Sequence, residues 1–406
     1  MKNRFAASVE PHGLRKEEVV KGHSHQYRLT LPRLILAGLI LFGAYAEYTR
    51  RLQGWGWQPR LKEVFPWGLC AGLDVFCGLA LAVGGFTIVA IVYLARLDIY
   101  QPILRVCMLT GFLGFVGAVL ANVANRPFHF WTLLRLWNPG PAFLGVGSAL
   151  VLYGALLAAE FIPAVSRNAG RRIPSPALHL TRSVLALAAA LLSTLQQISL
   201  TRPLAITPGG FSPLWLTPMF SAQLFLSSIC GCLAVVVFAS WHTSTTLDDR
   251  LQAIPVAKIK AALAVLLPLY VCLRLLDLLD PQTFPLLLHK HLYNYLLGIE
   301  LCLFLLPTAL LLRRYQSCSQ RTFYSSAVLV LAGFVTSRLN LAITAREAVK
   351  QVLYVPQWAD VFIAYGVIAV CVALFSFAVR HLPIFVSPDS NSAEDTTQTR
   401  LSHVGV

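Results

Sequence analysis

Charge is what this sequence has least of. Of its 406 residues only 13% are Asp, Glu, Lys or Arg, while 56% are hydrophobic and the mean hydropathy is +0.65. A soluble domain of this length needs a polar surface, so a globular catalytic domain is excluded and an all-α polytopic membrane protein is expected. Histidine is scarce in the places where a redox protein would use it. None of the ten (His12, His23, His25, His129, His179, His242, His289, His291, His381, His403) falls in the middle third of an apolar run. A b haem clasped between two helices takes a histidine from deep within each, so the expectation is a chain with no haem. Cysteine clusters are lacking as well: the nine cysteines are scattered, and only Cys230 and Cys232 stand close together. Without CxxC repeats or paired Cys/His groups, no iron–sulfur cluster and no metal site are expected, and the thiols read as small apolar helix residues. His289-Lys290-His291 reads as a wet loop at the membrane interface rather than a metal tract.

What is present is a succession of apolar runs, each near the roughly 20 residues that a helix needs to cross a bilayer. Ten helices are expected, beginning near Leu31, Trp67, Leu104, Ala142, Ser183, Leu214, Ala261, Leu292, Thr322 and Asp360. They form one membrane domain over residues 31–380, between a polar tail at 1–30 and another at 381–406. The side of the membrane that holds both tails carries the larger share of the 33 Lys and Arg, which puts both termini in the cytoplasm. The net charge of +15 then follows from that bias and from contact with anionic lipid, and there is no basic motif for nucleic acid.

In this topology the polar residues inside the spans gather toward the outer face. Asp74 lies near the start of the second helix, in FPWGLCAGLDVFCGLALAVGGF. Asn122 and Asn125 end the third, Gln196 and Gln197 end the fifth, and Arg202, Arg274, Asp277, Arg338 and Asn340 fall at or near outer ends. Long arginine side chains can snorkel to water from such places, but a short carboxylate two turns deep cannot. An outward-biased polar cavity is expected, with Asp74 as its proton-handling group and Arg274 paired to Asp277. Glu300 sits near the middle of the eighth helix and Glu160 toward the inner end of the fourth. A buried carboxyl exchanges protons readily, so a proton route from the cavity past Tyr153 to Glu160 is a further expectation. Gly68 and Gly72 form a small-xxx-small pair beside Asp74 that suits close helix packing. The outer loops hold most of the tryptophans, together with proline and arginine, which suits a docking surface for another protein.

Several stretches carry a family resemblance: FPWGLCAGLDVFCG with GGF, EFIPAV, RPLAITPGGFSPLW, GIELCLFLLP and VPQWADVFIAYGVIAVCVALFSFAVRHLPIF. In this order, from about Phe65 to Phe385, they resemble membrane subunits of the NrfD and polysulfide-reductase type, most nearly the HybB-type subunit of nickel–iron hydrogenases. The resemblance implies an NrfD-like bundle and a haem-free subunit that anchors a periplasmic ferredoxin-like iron–sulfur protein and its catalytic partner. Such a subunit passes electrons between their clusters and menaquinone or ubiquinone, an exchangeable substrate, in a bacterial inner membrane. By match, Asp74 stands for the family's second-helix aspartate, Glu160 for the glutamate of its E-F-x-P motif, and Arg274 and Asp277 for an arginine and an acid in the seventh helix. The chain departs from the hydrogenase pattern at Gly145, where that subunit has a glutamate, and at Gln196, where it has a histidine.

The resulting expectation is a subunit of a quinone-linked oxidoreductase rather than a stand-alone enzyme. Asp74 and Glu160 are its candidate catalytic residues, and Asp74, His129, Gln196, Gln197, Arg274 and Asp277 its candidate quinone contacts. Two other readings use the same residues. A secondary transporter would use the same polar cavity but should show matching broken helices or an inverted repeat; a structural anchor would need no quinone chemistry.

Overall fold

The computed structural model describes residues 31–52, 69, 71–97, 100–125, 146–168, 175–206, 211–246, 256–281, 283–288, 292–313, 319–350 and 354–382. Ten of its helices are long and apolar enough to cross a membrane. They are α1 (Leu31–Leu52), α2 (Cys77–Leu94), α3 (Gln101–Asn125), α4 (Val146–Asn168), α5 (Ser175–Ile206), α6 (Phe220–Thr246), α7 (Val256–Leu278), α8 (Leu292–Arg313), α9 (Gln320–Leu339) and α10 (Trp358–His381). No described residue lies in a strand. The odd-numbered helices finish, and the even-numbered ones start, at a common, distal end. Leu31 and Leu382, the first and last described residues, lie toward the opposite, proximal end. At the distal end Arg50 of α1 donates to the Ala124 carbonyl of α3 at 2.6 Å and pairs with Asp360 of α10 at 3.6 Å.

The helices fall into two groups of four. In one, α2 and α4 each pack on α3 and α5; in the other, α6 and α8 each pack on α7 and α9. Contacts between α2 and α6 join the groups, while α1 and α10 pair with each other and lean on α3 through α10. The centre of the molecule is α2, which is apolar on every side, as a helix enclosed by others must be. Glycine brings its neighbours close. A Cβ on Gly78 would lie 2.3 Å from the Gly114 carbonyl oxygen of α3, and one on Gly84 would lie 2.2 Å from the Ser228 carbonyl oxygen of α6. In a bilayer, where burial of apolar surface does not drive helices together, such backbone approach is what packs them.

Several boundaries differ from the sequence expectation; the third helix begins at Gln101 rather than Leu104 and the seventh at Val256 rather than Ala261. The fifth helix begins at Ser175, eight residues before the apolar run starts, because its first turns carry His179 and Arg182 at the membrane edge. The sixth begins at Phe220 rather than Leu214. Pro213 and Pro218 oppose a helix there, and the stretch 211–219 instead folds inward as turns, burying Phe211, Leu214 and Trp215. Irregular backbone is tolerated at membrane depth when protein encloses it. The second helix opens with a π-helical turn, Ala71–Phe76, and a second π turn, Asn340–Thr344, continues α9 toward Ala345–Lys350. The two turns abut: a Cβ on Gly72 would lie 2.8 Å from the Ala342 Cβ. Such one-residue insertions widen a helix locally and recur at functional sites.

Candidate functional site

The distal end of the α6–α9 group holds a dense buried polar network. Glu300 of α8, 2% exposed, is its hub. Its carboxylate accepts from Asn340 Nδ2 at 2.7 Å, from Trp215 Nε1 at 3.4 Å and from the Tyr270 hydroxyl at 3.5 Å, with Arg274 Nη2 3.9 Å away. Trp215 arrives on the inward-folded stretch 211–219, and Asn340 on the second π turn. Arg274 Nη1 donates to Gln223 Oε1 at 3.3 Å, and the Gln223 amide donates in turn to Asp277, as does the Thr217 hydroxyl.

Arg338, at the end of α9, is 1% exposed. Its Nη2 donates to the Leu224 carbonyl (3.1 Å) and to the hydroxyls of Ser227 (3.0 Å) and Ser228 (3.1 Å), and its guanidinium lies over the Phe334 ring at 5.0 Å. Arg274, Arg338, Glu300, Trp215, Gln223 and Tyr270 line a narrow cleft closed on its apolar side by Phe220, Leu224 and Leu341. Two arginines face two carboxylates, so the cluster balances in charge when all four ionise. The geometry offers buried hydrogen-bond donors beside a carboxyl group that can take or give a proton.

Asp74 sits on the first π turn, 4% exposed. The abutting turns place it on the α2 side of this region, and Cys77, one turn on, is within electrostatic reach of both Asp74 and Arg338. Arg274 and Asp277 both join the network, but Gln223 stands between them and the ion-pair partner of Arg274 is Glu300. Gln196 lies elsewhere: its Oε1 accepts from the Tyr153 hydroxyl at 3.1 Å, inside the α2–α5 group, where Phe86 stacks on Tyr153 with ring centroids 4.3 Å apart. Gln197 is its half-buried neighbour on α5. His129, Gly68 and Gly145 lie outside the described residues.

Glu160 belongs to a separate cluster at the proximal end. Its carboxylate accepts from the Tyr93 hydroxyl at 2.7 Å and from Arg105 Nε at 3.0 Å, with Arg182 Nε at 3.2 Å. These groups come from α2, α3, α4 and α5 and tie the four helices together.

Sequence reasoning passed over Arg338, Trp215 and Gln223. Arg338 read as a snorkelling arginine, since nothing in one helix shows that its head turns inward onto Ser227 and Ser228. Trp215 read as part of an exterior loop. A tryptophan between two prolines, in the apolar segment SPLWLTP, was the available signal for an inward fold.

No protein-family model matches the chain. It is 24% identical over 370 residues, 88% of this chain and 93% of the relative, to a protein of Escherichia coli K12 named as a probable Ni/Fe-hydrogenase 2 b-type cytochrome subunit. It is 24% identical over 388 residues (85% and 89%) to the integral membrane subunit of menaquinone reductase of Nitratidesulfovibrio vulgaris. A further protein of that bacterium is 26% identical over 382 residues (90% and 97%).

The first of these names corrects the expectation of a haem-free subunit, because a b-type cytochrome carries haem. Histidine depth bears only on a haem held between two mid-span histidines. An iron held near helix ends, or through Met or Tyr, escapes that test. Of the described histidines, His179, His242 and His381 sit at proximal helix ends and pack on the rings of Tyr93, Tyr324 and Phe377. That arrangement does not fit axial ligation. The likeness covers 85–90% of the chain, which is similar to integral membrane subunits of hydrogenase and menaquinone reductase complexes.

Proposed function

We propose that this chain is the membrane subunit of a redox complex of the hydrogenase type, anchoring an iron–sulfur partner and a catalytic subunit and exchanging electrons with the quinone pool of a bacterial inner membrane. Relatives named as subunits of a hydrogenase and of a menaquinone reductase support the redox setting. The observation that carries the quinone reading is the distal cleft, where Arg274, Arg338 and Glu300 converge at 1–2% exposure. Ionisable groups are costly in hydrocarbon and persist there for function.

A quinone takes up two electrons and two protons, so its site must offer donors to the ring carbonyls and a carboxyl group to pass protons. The cleft provides the donors. Glu300 lines it beside an apolar wall of Phe220, Leu224 and Leu341, and Asp74 lies on the α2 side of the region, on the π turn that abuts Asn340–Thr344. With the distal end outward, as the distribution of Lys and Arg favours, the site faces an iron–sulfur partner in the periplasm.

The test is a titration of the full chain in nanodiscs with 2,3-dimethyl-1,4-naphthoquinone, following quenching of tryptophan fluorescence. Wild type should saturate, and Asp74→Asn should bind several-fold more weakly. A wild-type protein that shows no saturable quenching sinks the quinone reading.

A further inference from the structure

Buried donors outnumber acceptors around the distal cleft. Arg338 spends Nη2 on Leu224, Ser227 and Ser228, while its Nε and Nη1 have no partner among the described residues although the residue is 1% exposed. Arg274, 2% exposed, likewise has an unpartnered Nε, and its Nη2 stands 3.9 Å from Glu300, beyond hydrogen-bond reach. Charged N–H groups left unsatisfied in a buried site are costly, so both arginines call for an acceptor from outside the chain. Size and charge define that acceptor. The space that the two side chains line has a volume of about 10 Å³, the room of one water and far less than a ring or a phosphate needs. Glu300 and Asp277 already balance the two arginines, so a halide would bring an uncompensated negative charge, and a metal cation would meet donors instead of ligands.

We infer that the cleft is a hydration site that holds one buried water. The water accepts from Arg338 and from Arg274, which uses both of its lone pairs. Its two hydrogens go to acceptors that line the same space. One is Glu300: a carboxylate has about four acceptor positions, and Asn340, Trp215 and Tyr270 take only three of them. The other is the Tyr270 hydroxyl oxygen, which donates to Glu300 and can still accept. So placed, the water joins α7, α8 and α9 through their charged groups, as Glu160 and its arginines join α2 to α5, and keeps both guanidinia solvated where bulk water is excluded. A quinone ring does not fit in this space, so the ring of the proposed function meets the cleft from outside, on the α2 side where Asp74 stands. The hydration site itself does not depend on that reading.

Hydroxyl-radical labelling of the full chain in nanodiscs by an X-ray pulse, read by mass spectrometry, tests it, because a bound water yields radicals that oxidise the side chains around it. Trp215 and Tyr270, each 2% exposed, should be oxidised several-fold more than Phe86 and Phe115, each 0% exposed, after correction for intrinsic reactivity. Rapid mixing with heavy-oxygen water just before the pulse should leave the ordinary isotope on Trp215 and Tyr270, while Trp358, half-exposed at the start of α10, takes up the heavy one. Arg338→Gln should lower the labelling of Trp215 several-fold. Trp215 and Tyr270 labelled no more than Phe86 would mean a dry cleft and overturn the site. The heavy isotope on both would overturn it too, since bulk water would then be the source, as would unchanged labelling in Arg338→Gln. If Arg338→Gln does not yield a monodisperse protein, the wild-type comparison decides alone.

Discussion

Glu160 shows how a carboxylate deep in a membrane helix can be held by cations from neighbouring helices. From sequence it looked like the inner end of a proton route, since it lies within the apolar stretch YGALLAAEFIPAV. In the fold, Arg105 and Arg182 bracket it and Tyr93 donates to it, so its negative charge holds together two cations from neighbouring helices. Removing one member of such a cluster leaves the others buried and uncompensated, at a cost of roughly 3 kcal/mol or more. Glu160→Gln should therefore lower the unfolding midpoint of the detergent-solubilised protein clearly, and adding Arg105→Gln should restore part of the loss, the sign of a coupled pair. Equal midpoints for wild type and Glu160→Gln would remove the structural role. The same contrast explains what could be read residue by residue. That Asp74, Glu160 and Glu300 are buried followed from their depth in apolar runs, whereas Arg274 and Asp277 stood at outer helix ends. Which of them meet did not, because the partners of Glu300 come from α7, from α9 with its π turn, and from the stretch 211–219, at separations that no local pattern encodes.

At the scale of elements, α2 sets the geometry on which the cleft depends. Gly84 lets the α6 backbone come so near that an added Cβ would lie 2.2 Å from the Ser228 carbonyl oxygen, and Ser228 is one of the residues holding Arg338. Gly84→Ala must push α6 outward, because the obstacle is backbone rather than a side chain that can turn aside. Overpacking of this kind costs about 1–3 kcal/mol, and here it should also weaken naphthoquinone binding by shifting Ser227 and Ser228 under Arg338. Gly298→Ala, on α8 with nothing within 4 Å of its added Cβ, is the matched control and should leave the unfolding midpoint unchanged or slightly raised. A Gly84→Ala protein with wild-type midpoint and affinity would show that α2 and α6 are not locked together. The helices themselves were legible because each offers about twenty apolar residues. The π turns were not, since a one-residue insertion leaves the apolar run intact.

For the molecule as a whole, hydropathy gave the number of helices but could not give their arrangement. The span at Gly72–Leu94 and that at Trp358–His381 have the same mean hydropathy, yet 83% of the first is buried and only 28% of the second. Lipid tails and protein interior are equally apolar, so the sequence of a central helix resembles that of a peripheral one; glycine positions distinguish them better. Orientation rests on charge alone, and on it depends whether the cleft opens toward a periplasmic partner. Leu52, 68% exposed at the distal end of α1, and His381, exposed at the proximal end of α10, offer opposite test positions. With a membrane-impermeant maleimide on intact spheroplasts, Leu52→Cys should label above the background of the native cysteines, and His381→Cys only after permeabilisation. The reverse pattern would turn the cleft toward the cytoplasm, and the electrons reaching it would then have to come from a cytoplasmic subunit, because the charged donors of the cleft lie at one end of the bundle only.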